Sequence, residues 1–245
     1  MTCKRILPLK LTAAATTVAV CLLLPAVQGT AATVVTDTMT EVSSDRAPMD
    51  FSARMGAGYL TGEAHEYVYW QDQGGHTASE LIWDIDSVYM FGLGGTVRPV
   101  NWLNINMDLW LNVADGDGYM EDYDWMVVGM DWTDRSVHDN TDVTNAFIFD
   151  VNVEMTMFST GTVSFVGIAG YRHDTFEWEA RGGSYIYSEY GYRDSTGSFP
   201  SGELGITYEQ SFDVPYLGLG FQGDFDRLHL AAKVTGSFLV RGDAT

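Results

Sequence analysis

Thiols are nearly absent from this sequence of 245 residues. Its two cysteines, Cys3 and Cys21, both lie near the N-terminus. The chain after Cys21 therefore has no disulfide framework, no cysteine nucleophile and no cysteine–zinc site. Cations are scarce as well, since 13 Lys and Arg stand against 33 Asp and Glu. This acidic balance argues against nucleic acid as a partner and favours cationic partners.

The N-terminal segment has the pattern of a secretory signal peptide. Three basic residues precede an apolar run over residues 11–24, and small residues follow. The pattern predicts export with removal of residues 1–29, or of residues up to 32. A transmembrane helix fits less well, because the uncharged run is short and soon reaches Pro25. Removal takes away three cations and no acid, which leaves 10 cations against 33 acids and a net charge of −23.

Helical periodicity is also lacking after the signal segment, where apolar residues alternate with polar ones instead. Between Leu103 and Val113 every second residue is apolar, whereas Asn104, Asn106 and Asp108 fall on the other face. Side chains alternate between faces along a β-strand, so the pattern predicts strands with one apolar face. Seven such strands are predicted, at roughly 52–69, 79–97, 101–115, 140–158, 162–181, 203–223 and 227–241.

These strands favour an all-β fold, a transmembrane antiparallel β-barrel over residues 51–245 that follows an N-terminal segment, 30–50. The strands are longer than most strands of soluble domains. Short turns alternate with long polar connections at 116–139 and 182–203. In a closed barrel the apolar faces meet membrane lipid and the Asn and Asp side chains line the lumen. A soluble β-sandwich, whose strands also alternate, is the alternative.

An acidic motif lies within the first of these long connections, where residues 119–126 read YMEDYDWM. Two carboxylates this close titrate together, and Asp122 and Asp124 could hold a water molecule and take its proton. Taken alone, a solvated acidic loop tip is the simpler explanation of the motif. The five histidines show no metal-ligand spacing, so no metal site is predicted.

Several longer stretches make the chain resemble the omptins, outer-membrane proteases of Gram-negative bacteria. The resemblance runs from Phe51 to the end. It is most specific in EDYDW at 121–125, WTDRSVH at 132–138, ARGGSYIY at 180–187 and GSFPSGE at 197–203. It implies a ten-stranded barrel, of which about seven strands are present here. It further implies an acidic groove at the extracellular end and cleavage of cationic peptides or proteins at Lys or Arg, often between two basic residues.

The resemblance also assigns residues to the site, and it implies no cofactor. A water molecule would be held between an Asp pair, Asp122 and Asp124, and an Asp–His dyad across the groove. Glu66 matches the carboxylate at the bottom of the pocket for the basic side chain. The remaining matches are Met120 and Ile206 as apolar pocket walls, Asp134 as an acidic substrate-binding residue, His138 as an accessory imidazole, and Tyr171 as a contact for lipopolysaccharide.

The sequence departs from the omptin pattern in two places. The dyad should follow the seventh strand, and no Asp-x-His occurs before Thr245, so the chain is interpreted as C-terminally incomplete and expected to be inactive alone. His173, Thr175 and Ser211 stand where the pattern has an acid and two arginines, which argues against lipopolysaccharide as an activator.

The functional hypothesis is therefore an outer-membrane endopeptidase with its site facing outward. The alternative is a non-catalytic barrel, either an adhesin or a receptor for cationic peptides, or an inactive remnant. Such a barrel needs the acidic groove but not the dyad.

Overall fold

The computed structural model describes residues 4–5, 49–70, 74–225 and 228–245. In these ranges the chain is built from strands and their connections. Nowhere in the described part of the chain is there a helix of the length and apolarity needed to cross a membrane. The strands are β1 Lys4–Arg5, β2 Asp50–Trp70, β3 His76–Val100, β4 Leu103–Asn112, β5 Gly116–Asp124, β6 Asp134–Ser159, β7 Val163–Arg181, β8 Ser184–Tyr187, β9 Ser195–Ser198, β10 Leu204–Phe225, β11 Leu228–Gly236 and β12 Arg241–Ala244.

The described strands form one antiparallel sheet. Its order is β1-β2-β3-β4-β6-β7-β10-β11. Beyond the end of β4, strand β5 takes its place between β3 and β6. The β8–β9 hairpin pairs with the start of β6, and β12 pairs with β10. Strands β3, β6, β7 and β10 are therefore long enough to carry the sheet well past the region where β4 is paired.

Contacts between inward side chains show that the sheet curls into a barrel wall. Trp83 on β3 stacks on Tyr208 of β10, with ring centroids 4.7 Å apart and planes 7° apart. Trp178 on β7 lies 5.9 Å from Trp83 and 5.8 Å from Tyr208. Because β5, β6 and β7 separate β3 from β10 at this level of the sheet, these rings meet only across the interior. The predicted all-β barrel class is confirmed.

The half of the barrel next to the short turns has the faces expected of a membrane span. Inside, Asn106 donates a hydrogen bond of 2.8 Å to Asn152, and Arg54 pairs with Asp108. An apolar outside around a polar, hydrogen-bonded inside is typical of outer-membrane barrels. The predicted alternation of outward apolar and inward polar side chains is observed here, and contact of the outward face with lipid stays a prediction. The exposed outward residues of this half include Phe51, Met55, Leu93, Met107, Leu217, Leu219 and Val234.

The structure corrects the predicted connections, while six predicted strands agree with β2, β3, β4, β6, β7 and β10 to within a few residues. The predicted loop 116–139 contains all of β5 and the start of β6, so only 125–133 lies between strands. The predicted loop 182–203 contains the β8–β9 hairpin. The predicted strand 227–241 is interrupted at 237–240, between β11 and β12. A strand that extends beyond the membrane needs no apolar face. Hydrophobic alternation in the sequence therefore does not reveal β5, β8, β9 or the start of β6.

The predicted signal peptide, 1–29, lies outside the described residues apart from its short strand β1. Lys4 and Arg5 of that strand pair with Tyr69 and Val68 of β2. The proposed cleavage point and most of the segment 30–50 also lie outside the described part of the chain. These boundaries therefore stay predictions.

Candidate active site

The sheet register places five inward residues in one row above the membrane. This central row consists of Glu66, Leu81, Asp122, Ser136 and Tyr185, on β2, β3, β5, β6 and β8, each directly opposite the next. Neighbouring strands lie about 4.8 Å apart, so Glu66 and Tyr185 lie about 10 Å from Asp122 on opposite sides of it. We call the inner surface that this row crosses, from β2 to β8, the groove.

Two further rows flank the central one. The upper row, toward the loops, brings Ser79 opposite Asp124 and Asp124 opposite Asp134. Because side chains two apart on a strand share a face, Asp122 and Asp124 point to the same side of β5. The hydroxyl of Ser79 donates a hydrogen bond of 2.9 Å to Asp122 Oδ1. The acidic motif is therefore a paired strand with an inward Asp pair, and the loop-tip explanation is wrong.

The lower row, toward the membrane, brings Trp83 opposite Met120 and Met120 opposite His138. Trp83 and Met120 are fully buried and belong to the core of this half of the barrel. This apolar layer lies directly beneath the carboxylates of β5. The Asp pair therefore rests on packed side chains and not on the open lumen.

Burial and mutual repulsion make the Asp pair reluctant to ionise. Burial raises the pKa of Asp122, opposed by the Ser79 hydrogen bond and by the neighbouring His138, while Glu66 raises it further. Burial, followed by the charge of Asp122, raises the pKa of Asp124 to about 7. Two carboxylates that interact this strongly titrate as a unit. Near neutral pH the pair can therefore hold one proton, which suits a group that exchanges protons with water.

Glu66 is the residue predicted to lie at the bottom of a pocket for a basic side chain. This residue is only 2% exposed, and its charge affects Asp122, so the two lie within electrostatic reach of each other. Leu81 and Ile206 pack against the same apolar cluster that contains Met120. Apolar side chains beside a carboxylate are the surroundings that would suit Lys or Arg, which carry a cation on an apolar stem, and the pocket itself stays a prediction.

Asp134 and His138 lie on β6 at the far side of the Asp pair from Glu66. Asp134 accepts a 2.9 Å hydrogen bond from the backbone N–H of Ser188. The Nδ1 of His138 lies 2.6 Å from the carbonyl oxygen of Gly182, and it must carry a proton because that oxygen only accepts. In the neutral ring Nε2 then presents a lone pair, and this buried atom has no hydrogen-bond partner in the described part of the chain.

Tyr171 lies apart from the other predicted site residues. It is on the outer wall of β7, where its hydroxyl donates to Asp213, and His173 Nδ1 lies 2.8 Å from the same carboxylate oxygen. Thr175 in turn lies 3.2 Å from both His173 Nε2 and Ser211 Oγ. These five side chains therefore form one chain of hydrogen-bond contacts on the outer wall. A lipopolysaccharide contact at Tyr171 stays a prediction.

Sequence reasoning missed the groove residues that come from partner strands. Ser79, Ser136, Tyr185 and Tyr187 carry no local signal of their own, and only the register of β3, β6 and β8 brings them beside Asp122 and Asp124. If β3 and β5 had been assigned correctly from the sequence, the alternation of side chains between faces would have placed Ser79 on the inward side, opposite Asp124. No group of three or more His, Cys, Asp or Glu side chains within the described ranges could hold a metal ion.

A separate cavity of about 440 Å³ lies on the outer side of the wall, away from the groove. Glu80 and Tyr67, which line it, alternate with the inward residues Ser79 and Glu66 along their strands. None of the site residues predicted from the sequence reaches it. The other lining residues are His76, Thr77, Trp125, Gly129 and Met130.

Comparison with known proteins assigns the chain to a family. The model of the Omptin family matches residues 47–245. The chain belongs to the omptin family. It is 35% identical over 196 residues to the plasminogen activator of Yersinia pestis, covering 80% of this chain and 62% of the relative. It is also 35% identical over 180 residues to protease 7 of Escherichia coli strain K12, covering 70% of this chain and 55% of the relative.

A solved structure supports the same assignment. The crystal structure of the outer membrane protease OmpT from Escherichia coli matches with a TM-score of 0.74 and 30% identity, covering 86% of this chain and 68% of that chain. The omptin resemblance, the barrel fold and the outer-membrane location predicted from the sequence are confirmed. This omptin chain spans only 55–62% of the length of the two curated relatives named above.

Proposed function

We propose that the groove is the active site of an outer-membrane endopeptidase that cleaves cationic peptides or proteins at Lys or Arg. The observation that carries the proposal is the inward Asp pair of β5. Ser79 donates a hydrogen bond to Asp122 of this pair, and the buried Glu66 lies two strands away in the same row. Relatives named as proteases support hydrolysis, and the acidic groove supports a cationic substrate.

The geometry suits activation of a water molecule by carboxylates. Asp122 would position the water for attack on the peptide carbonyl, and Asp124 would support Asp122 by sharing a proton with it. The water oxygen would bond to the carbonyl carbon while the carbonyl π electrons move to the carbonyl oxygen, and the water proton would pass to the ionised carboxylate of the pair. When the carbonyl re-forms, the C–N bond would break and the amine nitrogen would leave with that proton. In the omptin pattern an Asp–His dyad faces this pair, and we propose that such a dyad completes the site in the active protein.

Substrate selection follows from charge at two ranges. Nearby, Glu66 would pair with the cation while the apolar walls at Met120 and Ile206 contact its stem. Over longer distances, the net charge of −20 of the whole chain attracts cationic peptides to the groove. Asp134, on the other side of the Asp pair, adds a further carboxylate to the groove.

Cleavage assays with the full gene product in detergent micelles test the proposal. Peptides with an Arg-Arg site should be cut, whereas matched peptides with Glu-Glu should not. Asp122→Asn should lower kcat/KM for the Arg-Arg peptide by about 100-fold or more, since general-base catalysis contributes on that order. Asp117→Asn is the matched control, because Asp117 is an exposed acid on the same strand.

Two results would contradict the proposal. One is cleavage of the acidic peptide with the Arg-Arg peptide spared, and the other is full turnover by Asp122→Asn. The 245-residue chain refolded alone is expected to show no turnover, because the facing dyad is expected to lie outside it. If the 245-residue chain does cleave the peptide, and Asp122→Asn abolishes that cleavage, then the chain needs no further dyad for activity.

A further inference from the structure

The cavity on the outer side of the wall lies back to back with the groove. Ser79 donates to Asp122 on the inner face, and the next residue, Glu80, lines the cavity on the outer face. Trp125 lines it in the same way, directly after the inward Asp124. Successive side chains of a strand point to opposite faces of a sheet. This recess of about 440 Å³, which we name the outer cavity, is therefore separated from the groove by the sheet itself.

Two aromatic rings with fixed neighbours line the outer cavity. Tyr67 lies in a row of outward rings along β2, with its centroid 6.0 Å from that of His65 and 6.3 Å from that of Tyr69. Trp125 lies 6.2 Å from Tyr123 in the same measure. Tyr67 and Trp125 are both half-buried, so part of each ring stays open to a ligand.

The charge beside these rings is negative. Burial, followed by a hydrogen bond with Glu80, raises the pKa of Tyr67 to about 12, so the phenol is neutral at physiological pH. His65 lies with Nδ1 2.9 Å from Glu80 and with Nε2 against Glu63, so one imidazole faces two carboxylates. Among the described residues that line the cavity, none is Lys or Arg. A carboxylate beside aromatic faces attracts a cation.

One polar atom of the lining lacks a partner. His76 lines the outer cavity at the start of β3, and its buried Nε2 has no hydrogen-bond partner within the described ranges. In the neutral tautomer protonated at Nδ1, this nitrogen accepts a hydrogen bond, and leaving it unpaired costs free energy. A ligand with several N–H donors, such as an ammonium or a guanidinium group, would satisfy both His76 and Glu80.

The connection that borders the outer cavity is apolar and exposed. Met126, Val127, Val128 and Met130 are 57%, 46%, 56% and 43% exposed, and Met130 also lines the cavity. A contiguous group of exposed apolar side chains marks an interaction surface, and methionine adapts to different partners. The surface therefore combines a recess for a cation with an apolar rim.

We propose that the outer cavity binds a Lys or Arg side chain of a peptide that has apolar residues next to that cation. The cation would lie against Glu80 and the rings of Tyr67 and Trp125, and the apolar neighbours would pack on Met126 and Val128. The site lies on the opposite face of the wall from Asp122. It therefore goes beyond the proposed function and does not require that the groove cleaves peptides.

Fluorine NMR of the full gene product, labelled with 5-fluorotryptophan in nonionic detergent micelles, tests the site. All samples carry Asp122→Asn so that no peptide is consumed, and loss of a signal in Trp125→Phe identifies the Trp125 resonance. Acetyl-Leu-Lys-Leu-amide should shift this resonance saturably and bind about 5- to 10-fold more tightly than acetyl-Leu-norleucine-Leu-amide, the combined range of an exposed cation–π contact and ion pair. Glu80→Gln should remove most of this preference.

Matched variants and probes separate the outer cavity from the groove. Glu66→Gln removes a carboxylate of the groove, and Asp117→Asn removes an exposed acid of β5, so both should retain the preference. Tyr67→Leu should lower it, whereas Tyr67→Phe should retain it. Because each variant is scored by the ratio of two peptides, a general loss of stability leaves the ratio unchanged. Acetyl-Gly-Lys-Gly-amide and n-pentylamine should bind more weakly, since both lack the apolar neighbours.

The possible results decide between the outer cavity and its alternatives. Equal binding of the Lys and norleucine peptides overturns the site, as does a preference that Glu66→Gln removes and Glu80→Gln retains. Binding of n-pentylamine as tight as that of the Lys peptide overturns a peptide as the occupant, and a response to methyl glucoside alone would indicate a sugar. Cleavage of the Arg-Arg peptide by the Asp122 protein without a Trp125 response overturns the outer site and leaves the proposed function standing. A Trp125 response without cleavage does the reverse.

Discussion

At the scale of single residues, the Asp pair is a feature that costs the fold stability. Two carboxylates on one face of β5 rest on a layer containing the fully buried Trp83 and Met120. Such a layer favours the neutral form of both acids. Ser79 offsets part of the cost by donating to Asp122. A buried, repulsive arrangement of this kind is common at functional sites, where stability is lost in exchange for reactivity.

Asp124→Asn is expected to stabilise the protein at pH 8.5 and to change it little at pH 5. The folded-state pKa of Asp124 is raised to about 7, so the folded protein binds more protons than the unfolded chain between roughly pH 4 and pH 7. Stability contributed at this position is therefore lost as the pH rises through that range. Asparagine removes the negative charge that Asp124 carries only above about pH 7.

The measurement is the apparent unfolding temperature by circular dichroism in detergent micelles at both pH values. An increase of about 2–4 °C at pH 8.5 corresponds to about 1 kcal/mol for a chain of this size. Asp117→Asn, on the exposed side of β5, should show no such difference between the two pH values. Equal effects of Asp124→Asn at both would show that Asp124 keeps the same charge at pH 5 and pH 8.5, and would contradict a pKa of about 7.

At the scale of elements, the groove depends on a link between two connections. Arg193 lies in the connection between β8 and β9, and its guanidinium lies 3.2 Å from the ring centroid of Trp132 in the β5–β6 connection. It also donates to the carbonyl oxygen of Trp132 at 3.0 and 2.7 Å, and to Asp131 at 2.9 Å. This link fixes the hairpin that carries Tyr185 and Tyr187 against the wall that carries the Asp pair.

Arg193→Ala should loosen both connections and leave the membrane-spanning half unchanged. Loss of the ring contact and of hydrogen bonds to a charged group removes roughly 1–3 kcal/mol of local stability. Amide hydrogen exchange over 125–133 and 184–198 should accelerate by about 10-fold or more, because local opening becomes less costly. Arg193→Lys should restore little, since an ammonium cannot reproduce the planar fork.

Arg98→Ala is the matched control for this prediction. Arg98 is a partly exposed arginine at the other end of β3, where it contacts Asn104 and Asp50. It should not alter exchange in either connection. Unchanged exchange in Arg193→Ala would show that backbone pairing of the β8–β9 hairpin is sufficient to hold it.

Alternation identified the elements only where the membrane imposes an apolar face. The strand around Leu103–Val113 was evident because lipid requires Met107 and Leu111 to point outward. Strand β5 was missed because both of its faces carry charge: Glu121 points outward to Arg135, and Asp122 points inward. Partners such as Ser79 and Tyr185 are set by register, which depends on the whole ladder and not on local sequence.

At the scale of the whole molecule, inward side chains join strands that are not neighbours in the sheet. Tyr216 on β10 donates to both carboxylate oxygens of Asp150 on β6, at 2.7 and 2.9 Å. Strand β7 lies between them, and Tyr216 passes over Gly170. Nearer the turns, Lys233 on β11 pairs with the buried Glu154 on β6 in the same manner. Glycine at position 170 therefore leaves room for the contact between Tyr216 and Asp150.

Gly170→Ala should destabilise the protein by about 1–3 kcal/mol, the usual cost of inserting a methyl group into a packed site. The new Cβ would lie 2.4 Å from Tyr216 Cζ and 2.8 Å from Asn152 Cβ, so the ring must move away from Asp150. Denaturant unfolding in detergent micelles measures the loss. Gly95→Ala is the matched control, because a Cβ on this β3 glycine meets nothing closer than 3.6 Å.

A double-mutant cycle separates the crossing from the intrinsic effect of the substitution. In a Tyr216→Ala background the space over position 170 is vacated, so Gly170→Ala should cost much less there than in wild type. An equal cost in both backgrounds would show that Asn152 or the strand itself, and not the crossing tyrosine, requires glycine. The strongly non-additive result is expected because Tyr216 reaches Asp150 only by lying directly over the backbone of β7.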